Sequence, residues 1–158
     1  MSYTGIGETN GVIVTAASVE RVPIRLSAVS YVAPGSLTDG RFGLFRYDMG
    51  PKAGGPGPHF HRTFSESFYV LSGTVRLYDG RAWAEGREGD LFHVPDGGIH
   101  AFRNDADAAA SMLILFAPGP PREAYFNELA EISATGRTLS PEDWTELYAR
   151  HDQTMVGG

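Results

Sequence analysis

The sequence contains no cysteine, which excludes disulfides, thiolate metal sites and cysteine nucleophiles. Concentrated positive charge is also missing. The 13 lysines and arginines are scattered among 19 acidic residues, and the formal net charge is −6. A nucleic-acid binder needs a clustered cationic footprint to neutralise phosphates, so this balance argues against such a partner. Long apolar runs are absent too: the best, residues 112–117, falls far short of the ~20 residues that a membrane helix requires. The opening residues Met1-Ser2-Tyr3-Thr4-Gly5 lack the charged and apolar blocks of a signal peptide. No helix-turn-helix pattern stands out. Together these absences give the expectation of a cytoplasmic protein with neither a membrane nor a nucleic-acid partner.

What is abundant is turn chemistry. The 158 residues include 20 glycines and 10 prolines, a composition that favours short strands over long helices. The length suits one domain, 1–158, with an N-terminal arm and strands in 1–35, a barrel in 36–118 and helices in 119–158. Residues 1–10 read as a loose polar arm. Residues 12–15, 24–33 and 41–49 read as strands, and the Gly- and Pro-rich stretch 50–58 must be a loop. Further strands are expected at 67–71, 74–78, 82–85, 91–94, 100–103 and 111–117, separated by Gly-centred turns. Beyond 118 the period changes. Tyr125, Leu129 and Ile132 share one helical stripe, and Ser140-Pro141-Glu142-Asp143 opens a second helix with Ser as its cap. On that helix Trp144, Leu147, Tyr148 and His151 recur on one face, which must bury against the barrel or a partner.

Two stretches carry chemistry. One is His59-Phe60-His61, four residues, then Glu66, six residues and Gly73; the other is Gly89, five residues, Pro95-Asp96-Gly97-Gly98-Ile99-His100, three residues and Asn104. Together they resemble the two signature motifs of the cupin superfamily, with one departure at the opening glycine, whose place is taken by Ala53. The resemblance implies an all-β fold, a cupin β-barrel of double-stranded β-helix or jelly-roll type, here with a short C-terminal helical segment. It also implies one divalent transition metal ion per chain (Fe, Mn, Ni, Co, Cu or Zn) held by His59, His61, Glu66 and His100. Glu66 would in addition serve as general base.

Strand geometry fits this set. Residues i and i+2 of a strand point to one side, so His59 and His61 can offer two imidazoles to one ion. Glu66 has the opposite parity, so residues 62–65 must turn and return it on the next antiparallel strand. His100 arrives from a distant strand after the bend at 95–98. Three imidazoles and a carboxylate suit several first-row metals and leave positions open for further ligands. Gly73, Gly89 and Gly97 serve turns, and Asn104 caps one. Counting parity outward, Phe68 and Val70 go with Glu66 and Phe102 with His100; these three either line an apolar pocket or simply fill the barrel. His93 is a further candidate for the pocket or for support of a ligand.

Within the superfamily, residues 59–73 and 94–119 look most like single-domain, quercetin dioxygenase-like cupins. This resemblance implies a metal-dependent dioxygenase-type oxidoreductase acting on a small phenolic, flavonol-like or 1,3-dicarbonyl compound. The alternatives are a metal-assisted cyclase or isomerase that uses no O2, and a non-catalytic binder of a small ligand. Cupins of this kind are commonly dimers, and the strands expected at 12–15 and 24–33 offer edges that could cross to a second copy. A homodimer is therefore expected.

Overall fold

The structure is a computed structural model that describes residues 5, 7 and 10–157. The arm expected over residues 1–10 lies largely outside the described residues. Eleven strands and two helices are formed among those described: β1 (Arg21–Ile24), β2 (Ser27–Ala33), β3 (Gly43–Met49), β4 (His59–Phe60), β5 (Ser65–Ser72), β6 (Thr74–Tyr78), β7 (Trp83–Arg87), β8 (Leu91–Val94), β9 (Ala101–Arg103), β10 (Ala110–Ala117), α1 (Arg122–Thr135), α2 (Pro141–Arg150) and β11 (Thr154–Met155). A six-stranded sheet in the order β1-β2-β3-β10-β5-β8 faces a three-stranded sheet β7-β6-β9, and β4 pairs with β11 in a separate ribbon. The ladders are antiparallel throughout.

Alternation on the central strands builds the interior. In β3, Phe45, Tyr47 and Met49 are buried; in β5, Glu66, Phe68 and Val70; in β10, Met112, Ile114 and Phe116. Side chains of successive residues point to opposite faces, so these positions share the inner one. The two larger sheets meet through aromatic edges. Phe102 of β9 lies with its ring centroid 5.2 Å from that of Tyr47 and 5.5 Å from that of Phe68. Gly73 makes the turn from β5 to β6 at φ 70, where a Cβ would also lie 2.5 Å from the Ala109 carbonyl oxygen. That position admits only glycine comfortably.

Two strand expectations require correction. Residues 12–15 form no strand, and Val12 and Ile13 are exposed; a β-branched run has no ladder without a partner to pack on. The single strand expected over 24–33 is a hairpin, β1 and β2, turning at Arg25 and Leu26 with Arg25 at φ 54.

The helices fold back over one end of the barrel. Phe126 of α1 packs among Phe45, Tyr31 and Tyr47, and Tyr31 Oη donates to Asn127 Oδ1 at 2.7 Å. The α2 start is the expected capping box, in which Ser140 Oγ accepts from Asp143 N and the Asp143 carboxylate accepts from Ser140 N. Leu147 is buried, and the partly buried Trp144 and Tyr148 pack against the same core. His151, the fourth residue of that stripe, pairs instead with Glu128 of α1 at 2.8 Å. No helix among the described residues is long and apolar enough to cross a membrane.

Candidate metal centre

His59, His61, Glu66 and His100 converge inside the barrel, with ligating atoms all within 4.8 Å of one another and every side chain buried. His59 and His100 face each other across an antiparallel bridge, each N–H donating to the other's carbonyl at 3.0 and 2.9 Å. Residues directly opposed in such a pair project to the same side. Their rings are accordingly 4.3 Å apart, and His61, two residues on from His59, brings its ring to 4.9 Å from that of His59.

Glu66 comes from the other wall. The turn at 61–64 does return the chain, but β5 is not the neighbour of β4: it lies in the six-stranded sheet between β10 and β8. The expectation of a simple antiparallel return is corrected on that point. The site spans the gap between sheets, so its carboxylate and imidazoles are supported by separate ladders.

Each imidazole is tethered by its outer nitrogen. Nδ1 of His59 bonds the Gly57 carbonyl at 2.8 Å, that of His61 the Asp152 carbonyl at 2.7 Å, and that of His100 the Gly98 carbonyl at 3.0 Å. A carbonyl only accepts, so each Nδ1 carries the proton and each Nε2 is left to face inward. Glu66 Oε2 lies 3.0 Å from His61 Nε2 and 2.8 Å from His100 Nε2. Burial lowers the His59 pKa to about 3, aided by the neighbouring His100, so that ring is neutral. Burial alone would raise the Glu66 pKa, but the His100 and His61 rings, which bond its carboxylate when Nε2 also carries a proton, outweigh it and hold the group ionised. For His100, burial works downward and contact with Glu66 prevails upward. Three inward Nε2 atoms beside an ionised carboxylate form a donor set that fits a divalent transition metal.

The centre opens onto a cavity of about 510 Å³, bordered by His59 and Glu66 at one side. Tyr47, Phe102 and Ile114 of the barrel form its floor, and Tyr125, Phe126, Leu129, Ile132, Trp144 and Tyr148 of the helices its roof. Arg122 and Gln153 supply polar groups between them. Of the pocket residues expected from parity, Phe102 borders this cavity. Phe68 and Val70 do not: they are fully buried in the barrel filling, where Phe68 stacks on Phe92. His93 also does not, because its place on β8 turns it outward, where it bonds Ser67 Oγ at 2.8 Å. Asn104 is structural, its amide donating to the carbonyls of Gly50 and Ala108 while its oxygen accepts from Ala106 N.

Several contributors had no signal in the motifs. Phe64 stacks on His61 at 4.4 Å. Asp152 fastens the ligand turn, its carboxylate accepting from Arg62 N, Thr63 N and Thr63 Oγ1. The helical stripe of Tyr125, Leu129 and Ile132 was legible as apolar, but its use as a cavity roof was not.

Residues 45–116 match the family model for the Cupin domain. The two motifs fall largely within this segment, and the fold is the cupin fold. A quercetin 2,3-dioxygenase from Bacillus subtilis (strain 168) is 32% identical over 105 residues, covering 63% of this chain and 29% of that protein. The chain spans half or less of the length of the curated relatives it matches. Among solved structures, KdgF from Halomonas sp. superposes with a TM-score of 0.63 at 16% identity, over 72% of this chain and 99% of that one. The polyketide cyclase RemF from Streptomyces resistomycificus gives 0.60 at 20% identity, over 71% and 82%. At these identities the structural likeness is one of fold.

Proposed function

We propose that the protein is a metal-dependent oxidoreductase of dioxygenase type, acting on a small phenolic, flavonol-like or 1,3-dicarbonyl compound. The observation that carries this reading is the junction of the four-residue centre with a largely aromatic cavity. The similarity to a quercetin 2,3-dioxygenase supports it. His59, His61, Glu66 and His100 would hold one ion of Fe, Mn, Ni, Co, Cu or Zn. Such an ion supplies Lewis acidity and, where redox-active, electron exchange with O2.

The chain's own residues do the rest. The cavity buries an aromatic body between Phe102 below and Phe126 and Trp144 above, excluding water from the reacting end. Glu66 reaches the cavity wall, so its free oxygen is placed to accept a proton from an acidic enol or phenol there. A screen of flavonols, simple phenols and 1,3-diketones for oxygen uptake by metal-replete protein tests this. Uptake coupled to substrate loss is expected. Conversion without oxygen would give the cyclase or isomerase reading, and no conversion of any compound would leave a small-ligand-binding cupin. The homodimer belongs to the same proposal, with light scattering as its test: the 17.1 kDa monomer mass at micromolar concentration would end it.

A further inference from the structure

The four ligating residues do not exhaust the polar groups buried around the cavity. Arg122, the first residue of α1, is 4% exposed and borders the cavity together with His59 and Glu66. Its Nη1 donates to the His151 carbonyl at 3.1 Å and its Nη2 to Gln153 Oε1 at 3.4 Å, while its Nε is buried with no partner. It enters none of the ion pairs formed among the described residues. Glu66 is the one carboxylate among the described residues that line the cavity, and it is already engaged by His61 and His100.

A guanidinium taken out of water is costly unless a counter-charge and hydrogen bonds compensate it. Here the Tyr125 ring at 4.0 Å and the Phe116 ring at 5.2 Å offer their faces to the cation. Those faces give no acceptor for Nε. A purely structural role, tying α1 to residues 151–153, accounts for the two Nη bonds; a neutral side chain could make either of them. The Glu66 and Asp152 carboxylates stabilise the cation from a distance without pairing with it, and neither they nor the tie to residues 151–153 accounts for the spare donors. Nε itself is buried, but each Nη keeps a second hydrogen beyond the bond it makes, and a planar fork bordering a cavity is matched by a carboxylate.

We infer that Arg122 is the recognition point for a carboxylate on the substrate, whose apolar or aromatic body lies against Phe126, Leu129 and Trp144. This rests on the proposed use of the cavity as the substrate site and narrows that site's ligands to phenolic or dicarbonyl compounds that also carry a carboxylate.

Calorimetric titration with cinnamate and with its neutral counterpart cinnamamide tests the inference, on metal-replete and on chelator-stripped protein. The acid should bind at least ~10-fold more tightly than the amide in both forms, as expected for a hydrogen bond to a charged group. Arg122→Gln should bring the acid down to the level of the amide and leave the amide's affinity unchanged. Arg122→Lys, which keeps the charge, should retain part of the preference if the glutamine variant fails to fold. Equal binding of acid and amide by the wild type, or binding of neither, overturns the inference without any variant. So does a preference that survives in Arg122→Gln. A preference that disappears with the metal overturns it as well, by assigning the acid to the ion. Metal content, measured separately, reports on the metal reading alone: a protein that holds no metal yet prefers the acid would sink that reading and leave this one standing.

Discussion

The barrel and the C-terminal segment build one cavity by different means. The barrel brings four potential metal ligands to a point through two short motifs, each resting on a ladder or a tight bend. The segment after residue 118 supplies no ligand. It supplies a roof of aromatic and aliphatic residues, a buried arginine and a carbonyl that orients His61. On the proposed reading, metal binding and ligand recognition therefore have separate addresses in the chain, joined at residues 151–153. Fold-level likeness speaks to the first address alone, and on the proposed reading the choice of ligand belongs largely to the second.

The sharpest way to break this comparison is to remove an imidazole. His59→Ala, His61→Ala and His100→Ala should each lose most of their metal while remaining folded, falling well below one ion per chain by emission spectrometry. Full occupancy in any of them would strike that residue from the set. Glu66→Gln should keep appreciable metal on its three imidazoles yet lose roughly 10²–10⁴-fold in turnover, the usual contribution of a positioned base. A variant with full rate would leave Glu66 as a ligand only.

On the other side of the comparison, Leu147→Ala removes a side chain that is 3% exposed under the roof. The cost should be about 2–5 kcal/mol of stability, read by denaturant unfolding, with metal stoichiometry unchanged. Loss of metal in that folded variant would show that the two regions are not separable.

Asp152→Asn probes the joint between them and should have the smallest effect. Asparagine tolerates the positive φ of 51 found there, so the backbone stays while the ionised clamp on Arg62 and Thr63 is lost. Metal affinity should fall by about 10-fold, the lower end for a supporting contact. Burial would raise the Asp152 pKa, but hydrogen bonds from Thr63 and Arg62 lower it overall. The clamp's contribution is thus complete above the unfolded value near ~3.9 and is lost as pH falls through the lower folded value. The stability difference between wild type and Asp152→Asn should accordingly shrink in acid. A difference that grows there would refute the clamp.

The legible parts of this molecule were those written at short range. His59, His61, Glu66 and His100 fall at spacings that a strand, a turn and a bend convert into one locus, and the capping box at Ser140 is read from four adjacent residues. The hairpin at Arg25 and Leu26 was missed because neither residue carries a turn signal, although Arg25 takes a left-handed conformation. The strand expected at 12–15 was misread because β-branched composition marks only a willingness to pair. Arg122, Gln153 and Asp152 could not be placed at all. Their roles depend on contacts such as Asp152 with Arg62, 90 residues apart, and no local spacing encodes where a returning chain will dock.

The three tethers on the imidazoles all end on main-chain oxygens, those of Gly57, Gly98 and Asp152. Every amino acid has that oxygen, so drift in the side chains at these three positions cannot delete an anchor; only a shift of the chain path can. Substitutions there act only by moving the chain: at Gly98 a Cβ would lie 2.6 Å from Val94 Cγ1 and 2.9 Å from the Pro95 oxygen, and at position 152 the carboxylate clamp would be lost. Insertions or deletions near 57, 98 or 152 shift the same path and are a further route by which such a site would be lost over evolutionary time.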